Sequence, residues 1–152
     1  MLSEGDQNQE KALIVRDTPR GIPALISGAG YGASKRFLEF FTANIRNRNT
    51  RLAYARAVGD FFAWCERMGL SELARIEPTY IGAYVEQLQH THAAPSVKQH
   101  LAAVRMLFDW LVMGQVVKSN SASVVRGPKH VVKRGKTPIL SPEEAWLVPR
   151  NF

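Results

Sequence analysis

The most constraining feature of the sequence is the spacing of apolar residues between positions 95 and 113. The apolar residues Val97, Leu101, Val104, Phe108 and Leu111 recur at alternating intervals of four and three, and Gly114 follows them. This spacing places all of them on one face of an α-helix. Such a face is stable in water only when it packs against other elements. The pattern therefore predicts a helix from Pro95-Ser96 to Gly114 that packs against further helices.

Three earlier segments show the same helical spacing. The predicted helices run from Ser34 to about Ile45, from Thr50, as its N-cap, to Gly69, and from Glu77-Pro78 to about His90. No competing strand pattern is present. Because each buried Leu, Phe or Val contributes roughly 1.5–3 kcal/mol, four such helices suffice for an independent bundle. We therefore predict an all-α domain over residues 34–115.

The segments on either side of this domain differ from it in composition. Residues 1–33 are rich in glycine and proline and are expected to form a flexible arm. Residues 116–140 are basic, with no acidic residue among them, and are expected to form a linker. Residues 141–152 begin a well-capped helix at Ser141-Pro142, but Pro149 ends it within about two turns, which is too short for stability in isolation.

Charge and composition limit the class of partner. Lysine and arginine outnumber acidic residues 20 to 13, which gives a net charge of +7 and favours a polyanion. No apolar run is long enough to cross a bilayer and no secretory signal is present, so we expect a cytoplasmic protein without a membrane partner. The single cysteine, Cys65, lies among aromatic residues and fits a buried thiol in a reducing compartment.

Two groups of basic residues are candidates for phosphate binding. Arg46, Arg48 and Arg51 surround Thr50 at the start of the second predicted helix, where backbone N–H groups and the helix dipole also favour an anion. A solvated charged turn explains the same cluster equally well. Thr50 needs no ligand to act as a helix cap, although its hydroxyl could also meet a phosphate.

The second group lies on the outer face of the last predicted helix. Lys98, Ala102, Arg105 and Asp109 share that face, and the alanine keeps it flat enough to approach a groove. The alternative is an ordinary wet face on which Arg105 pairs with Asp109. The residues alone favour this alternative.

Catalytic and cofactor motifs are not evident in the sequence. His90-Thr91-His92 has no partner at metal-ligand spacing, and we expect neither a metal nor any other cofactor. No phosphate loop, nucleophile elbow or HExxH motif occurs. We therefore do not expect the chain to be an enzyme by itself.

Several runs of residues, taken together, resemble one family. These runs are Asn49-Thr50-Arg51-Leu52-Ala53-Tyr54 with Asp60 to Cys65, Ser96 to Leu111, Ser119-Asn120-Ser121-Ala122, Val125 to Lys129 and Gly135 to Ala145. Together they are similar to the N-terminal core-binding, or SAM-like, domain of tyrosine recombinases, the phage integrase family. The similarity covers about 35–147. Ser121 stands where the family's Asn-Pro-Ala turn has proline, which loosens that turn.

The resemblance implies an all-α, four- to five-helix orthogonal bundle that covers one face of duplex DNA and acts in DNA integration and recombination. With the resemblance supporting both basic groups, we predict that the DNA-binding residues are Arg48, Thr50, Arg51, Lys98, Arg105, Lys129, Lys133 and Arg134. The family's catalytic domain would carry the nucleophilic tyrosine, and Tyr31, Tyr54, Tyr80 and Tyr84 do not match it. We expect residues 141–152 to be the truncated start of that domain.

Two alternatives remain open at this stage. One is a helical protein-interaction module with no role on DNA, which docks through Trp146 or the short terminal helix. The other is a recombinase encoded as two pieces, active only with a separate catalytic fragment. Other recombinase protomers are further expected partners.

Overall fold

The computed structural model describes residues 21–129 of the chain. Within them the fold is all-helical, with five α-helices and no strand. The helices are α1 (Ala24–Ser27), α2 (Tyr31–Glu39), α3 (Arg48–Arg67), α4 (Pro78–Gln89) and α5 (Ala94–Met113). A π-helical turn, Phe40–Asn44, extends α2, and a 3-10 turn, Leu73–Arg75, precedes α4. The predicted all-α class is confirmed.

Helix α3 begins two residues earlier than the sequence predicted, because a different residue caps it. The side-chain oxygen of Asn47 accepts a hydrogen bond from the backbone N–H of Thr50, and the helix starts at Arg48. The prediction that Thr50 is the N-cap is therefore wrong. The helix ends at Arg67, and Gly69 follows with a φ of +80°, the left-handed conformation that favours glycine after a helix.

Helix α5 lies at the centre of the domain. The five apolar residues that predicted it are all buried, and Ala103 and Leu107 beside them are buried too. The buried face is wider than the predicted stripe because α5 contacts α2, α3 and α4. The helix begins at Ala94, with Pro95 in its first turn, and ends at the predicted Gly114.

The core is one cluster built around aromatic rings. Phe61 of α3 packs edge-on against Tyr84 of α4, with ring centroids 5.2 Å apart, and against Phe108 of α5, at 6.3 Å. Phe37 of α2 reaches the same cluster through Phe62 at 6.2 Å. These contacts join four helices around one aromatic centre.

The packed body extends beyond both predicted boundaries. Leu25 and Ile26 of α1 are buried in the core, so residues 21–33 are not the arm that we expected. Burial of these two side chains offsets the entropic cost of the surrounding glycines. At the other end, Ala122 and Val125 also join the core, although they fall within the predicted linker. The rest of the arm and residues 130–152 lie outside the described residues.

Candidate nucleic-acid interface

The chain that follows α5 turns back and runs along the same helix in the opposite direction. Asn120 bonds to Asp109, with Nδ2 and Oδ1 2.7 Å apart. Further along the chain, the carbonyl of Ala122 lies beside Arg105, one helical turn nearer the start of α5. Gly127 then lies next to Leu101 and Lys98, closely enough that an added Cβ would be 3.4 Å and 3.8 Å from their side chains. This segment, residues 120–127, is called the return segment below.

Arg105 fastens the return segment to α5. Its side chain is half-buried, and its Nε donates a hydrogen bond to the carbonyl of Ala122 at 3.2 Å. Its Nη2 donates to the carbonyl of Val125. The sequence placed Arg105 on an open face, paired with Asp109 or directed at a groove. The structure gives two of its nitrogens to backbone carbonyls instead, because the return segment covers that face.

Asn120 holds the turn that begins the return segment. Its Nδ2 donates to the backbone carbonyl of Arg105 at 3.0 Å as well as to Asp109, and its Oδ1 accepts from the N–H of Ala122 at 2.9 Å. This last bond is an Asx turn, which mimics a backbone turn. Three side-chain bonds therefore fix the turn without the proline that Ser121 replaces.

The return segment brings Gly127, which directly follows Arg126 and precedes Lys129 by two residues, to the beginning of α5. Lys98 lies in the first turns of the helix, and a Cβ at Gly127 would be 3.8 Å from its side chain. All three cationic side chains are exposed, and no ion pair within residues 21–129 engages any of them. Lys98, Arg126 and Lys129 are called the α5 cationic surface.

The second basic group lies at the beginning of α3. Arg48 and Thr50 are exposed in the first turn, and Arg56, eight residues after Arg48, is exposed about two turns further along the helix. Arg48, Thr50 and Arg56 are called the α3 cationic surface. Arg51 is half-buried, and its Nε and Nη2 donate to the carbonyl of Ile45 at 3.3 Å and 3.2 Å. Arg51 therefore also holds the chain that enters α3.

Two residues of these surfaces were missed as site candidates. Arg56 could have been found from its spacing of eight residues from Arg48, which places it about two turns further along the same predicted helix. Arg126 was noted only as part of the basic linker, because its position beside Lys98 depends on the return segment. Lys133 and Arg134, which the resemblance also implied, lie outside the described residues.

The other polar groups in the described part of the chain are dispersed or paired with one another. Within residues 21–129, no group of three or more His, Cys, Asp and Glu side chains could hold a metal ion. His100 Nε2 lies 3.6 Å from Asp60 Oδ2, and its ring packs edge-on against that of His92. Burial raises the pKa of the Cys65 thiol to about 12, which keeps it protonated and unreactive.

An open pocket of about 230 Å³ lies between α3 and α4. Asp60, Trp64 and Arg67 line it on one side, with Gln87 opposite. The Oε1 of Gln87 accepts a hydrogen bond from Trp64 Nε1 at 2.6 Å. Burial, followed by the nearby Asp60 carboxylate, raises the pKa of Tyr84 above its usual range. The phenol therefore stays neutral.

The fold and its surfaces define a compact all-α domain with two exposed basic surfaces. The sequence model of the family described as phage integrase, N-terminal SAM-like domain, matches residues 35–115, more than half of the chain. The chain belongs to this family. A search of curated proteins and of solved structures found no significant match. None of the helices within residues 21–129 combines the length and the apolar character that crossing a membrane requires.

Proposed function

We propose that this domain binds double-stranded DNA as the DNA-binding module of a site-specific tyrosine recombinase, and that it does not itself cut DNA. In this role the domain acts in the cytoplasm. Its further partners are other recombinase protomers or a separate catalytic fragment. Membership of the integrase N-terminal family supports a role in DNA integration and recombination.

The α5 cationic surface carries this proposal. Lys98 lies close to Gly127, the immediate neighbour of Arg126 and two residues before Lys129, although Lys98 is distant from all of them in sequence. Exposed cations that make no ion pair within residues 21–129 are available to neutralise phosphates and to release the counterions that DNA condenses. The proximity of three such cations favours a polyanion over a single carboxylate.

The α3 cationic surface supplies the second set of proposed contacts. Arg48 stands at a helix beginning, where the dipole and the N–H groups that Asn47 does not engage favour a phosphate. Thr50, whose N–H bonds to Asn47, offers its hydroxyl. In the proposal Arg48, Thr50, Arg56, Lys98, Arg126 and Lys129 contact the DNA. Arg51 contacts the DNA while it keeps its hydrogen bond to the Ile45 carbonyl. Arg105 supports DNA binding indirectly, by holding the return segment against α5. Lys133 and Arg134 extend the interface beyond the described residues.

The test is a titration of the purified protein with fluorescent duplex DNA over a range of salt concentrations. For Arg48→Gln or Lys98→Gln, the slope of log affinity against log salt should become shallower by about 0.9 for each lost phosphate contact. Lys35→Gln is the matched control, because Lys35 is an exposed lysine on α2 whose Nζ lies 3.9 Å from Glu39. The slope of log affinity against log salt for Lys35→Gln should equal that of the wild type.

Two results would contradict the proposal. One is a folded protein that fails to bind duplex DNA even at low ionic strength. The other is a binding constant that does not depend on salt, because phosphate contacts necessarily release counterions. The first result would favour a protein-interaction module.

A further inference from the structure

Arg105 is half-buried, and its hydrogen bonds show how the guanidinium is accommodated there. A guanidinium is costly to withdraw from water unless its donors are satisfied. Arg105 is half-buried against the return segment, and its Nε and Nη2 each donate to a different carbonyl there, those of Ala122 and Val125. Val125 directly precedes Arg126, so these two bonds hold the stretch of chain that leads to Arg126.

We infer that Arg105 is a positioning residue, which together with Asn120 fixes the path of the return segment so that Arg126 and Lys129 lie beside Lys98. The inference rests on the proposed function only where it concerns DNA. It assigns Arg105 no phosphate or base contact of its own. Its effect on DNA binding is exerted through the cations that it aligns.

The geometry calls for arginine at this position. The planar guanidinium directs several N–H groups in fixed directions and can satisfy two carbonyls at once, whereas an ammonium is a compact point charge without that geometry. A lysine at position 105 would keep the charge and lose the double attachment. Charge and positioning can therefore be separated by one substitution.

Like charges explain why the return segment needs to be fastened. Lys98, Arg126 and Lys129 repel one another, and in the absence of DNA nothing within residues 21–129 neutralises them. The bonds from Arg105 and Asn120, with the buried Ala122 and Val125, hold the cations together despite this repulsion. A surface that is already arranged loses less conformational entropy when it binds.

The first experiment uses the protein without DNA. Trypsin cleaves after Arg126 only when the return segment leaves α5, so the cleavage rate reports that opening. Arg105→Lys and Asn120→Ala should each accelerate this cleavage on the order of tenfold while the far-UV spectrum remains helical. Lys35→Arg, which likewise exchanges one cation for another but at an exposed position on α2, is the control and should leave the rate unchanged.

The second experiment measures the salt dependence of duplex binding. Arg105→Lys should make the slope shallower by up to about 1.8, the value of the two contacts at Arg126 and Lys129, although no charge is lost. Asn120→Ala should have the same effect with every cation still present. In either background, Lys129→Gln should produce no further change.

The outcomes separate a positioning role from direct contact. Wild-type affinity and slope in Arg105→Lys, together with unchanged cleavage after Arg126, overturn the inference. Additive effects of Arg105→Lys and Lys129→Gln also overturn it, because they indicate independent contacts. If the wild-type protein binds no DNA, the proposed function fails while the cleavage experiment still decides whether Arg105 positions the segment. If Arg105→Lys does not fold, Asn120→Ala decides by the same two measurements.

Discussion

Arg36 of α2 and Trp110 of α5 hold each other by three interactions. The guanidinium carbon of Arg36 lies 3.6 Å from the centroid of the Trp110 ring. Arg36 Nε donates to the carbonyl of Trp110 at 3.0 Å, and Trp110 Nε1 donates to the carbonyl of Arg36 at 2.8 Å. Each residue thus bonds the backbone of the other, which fixes α2 against the central helix.

Removing the Arg36 side chain should therefore destabilise the domain. Arg36→Ala loses a cation–π contact and a charged hydrogen bond, and we expect the free energy of unfolding in urea to fall by about 2 kcal/mol. Lys35→Ala, the neighbouring control, should change it by less than about 0.5 kcal/mol, because the exposed ion pair with Glu39 contributes little. Equal losses in the two variants would show that the contact with Trp110 contributes nothing specific.

The close approach of Gly114 to Arg36 gives a second prediction. A Cβ at Gly114 would lie 2.5 Å from Arg36 Nε, so Gly114→Ala must displace the Arg36 side chain from the Trp110 ring. We expect a loss of about 1–3 kcal/mol, typical of overpacking. In the Arg36→Ala background the same substitution should cost much less. A double-mutant cycle in urea measures this coupling, and simple additivity would contradict the explanation.

The Asn47 cap links stability to the proposed interface. Asn47→Ala removes the bond to the Thr50 N–H and should lower the free energy of unfolding by about 1 kcal/mol. Asn47→Asp keeps a capping oxygen and should preserve stability, yet it adds a negative charge beside Arg48 and should weaken DNA binding. Asn49→Ala is the control for stability. Loss of stability in Asn47→Asp, or unchanged DNA affinity, would contradict this prediction.

Alkaline pH should destabilise the domain through Cys65. Because burial raises the pKa of this thiol from 9.0 to about 12, the folded state retains a proton that the unfolded state has lost between these values. The stability contributed by the neutral thiol is complete below pH 9.0 and declines as the pH rises toward about 12. We therefore expect the free energy of unfolding to fall less steeply with pH in Cys65→Ala. Parallel pH curves for the two proteins would rule out this origin.

The sequence alone predicted four of the five α-helices within residues 21–129 and the apolar faces that form much of the core. The alternating spacing from Val97 to Leu111 predicted a buried face, and every residue of it is buried, because helical periodicity is a local property of the chain. Boundaries were less accurate where two cap residues competed, as Asn47 and Thr50 do at α3. Helix α1 forms because burial of Leu25 and Ile26, a tertiary effect, offsets the conformational entropy that the glycines around it lose on folding.

Tertiary structure alone decided which groups the basic residues lie against. From the sequence, Arg105 and Lys98 shared an open helix face, and Arg126 belonged to a linker. The return segment covers Arg105 and leaves Lys98 exposed beside Arg126, because Asn120 and Arg105 bond to groups far apart in the chain. Charge and helical spacing depend on residues that are close together in the sequence. The partner of each charged side chain depends instead on which distant backbone groups the fold brings to it.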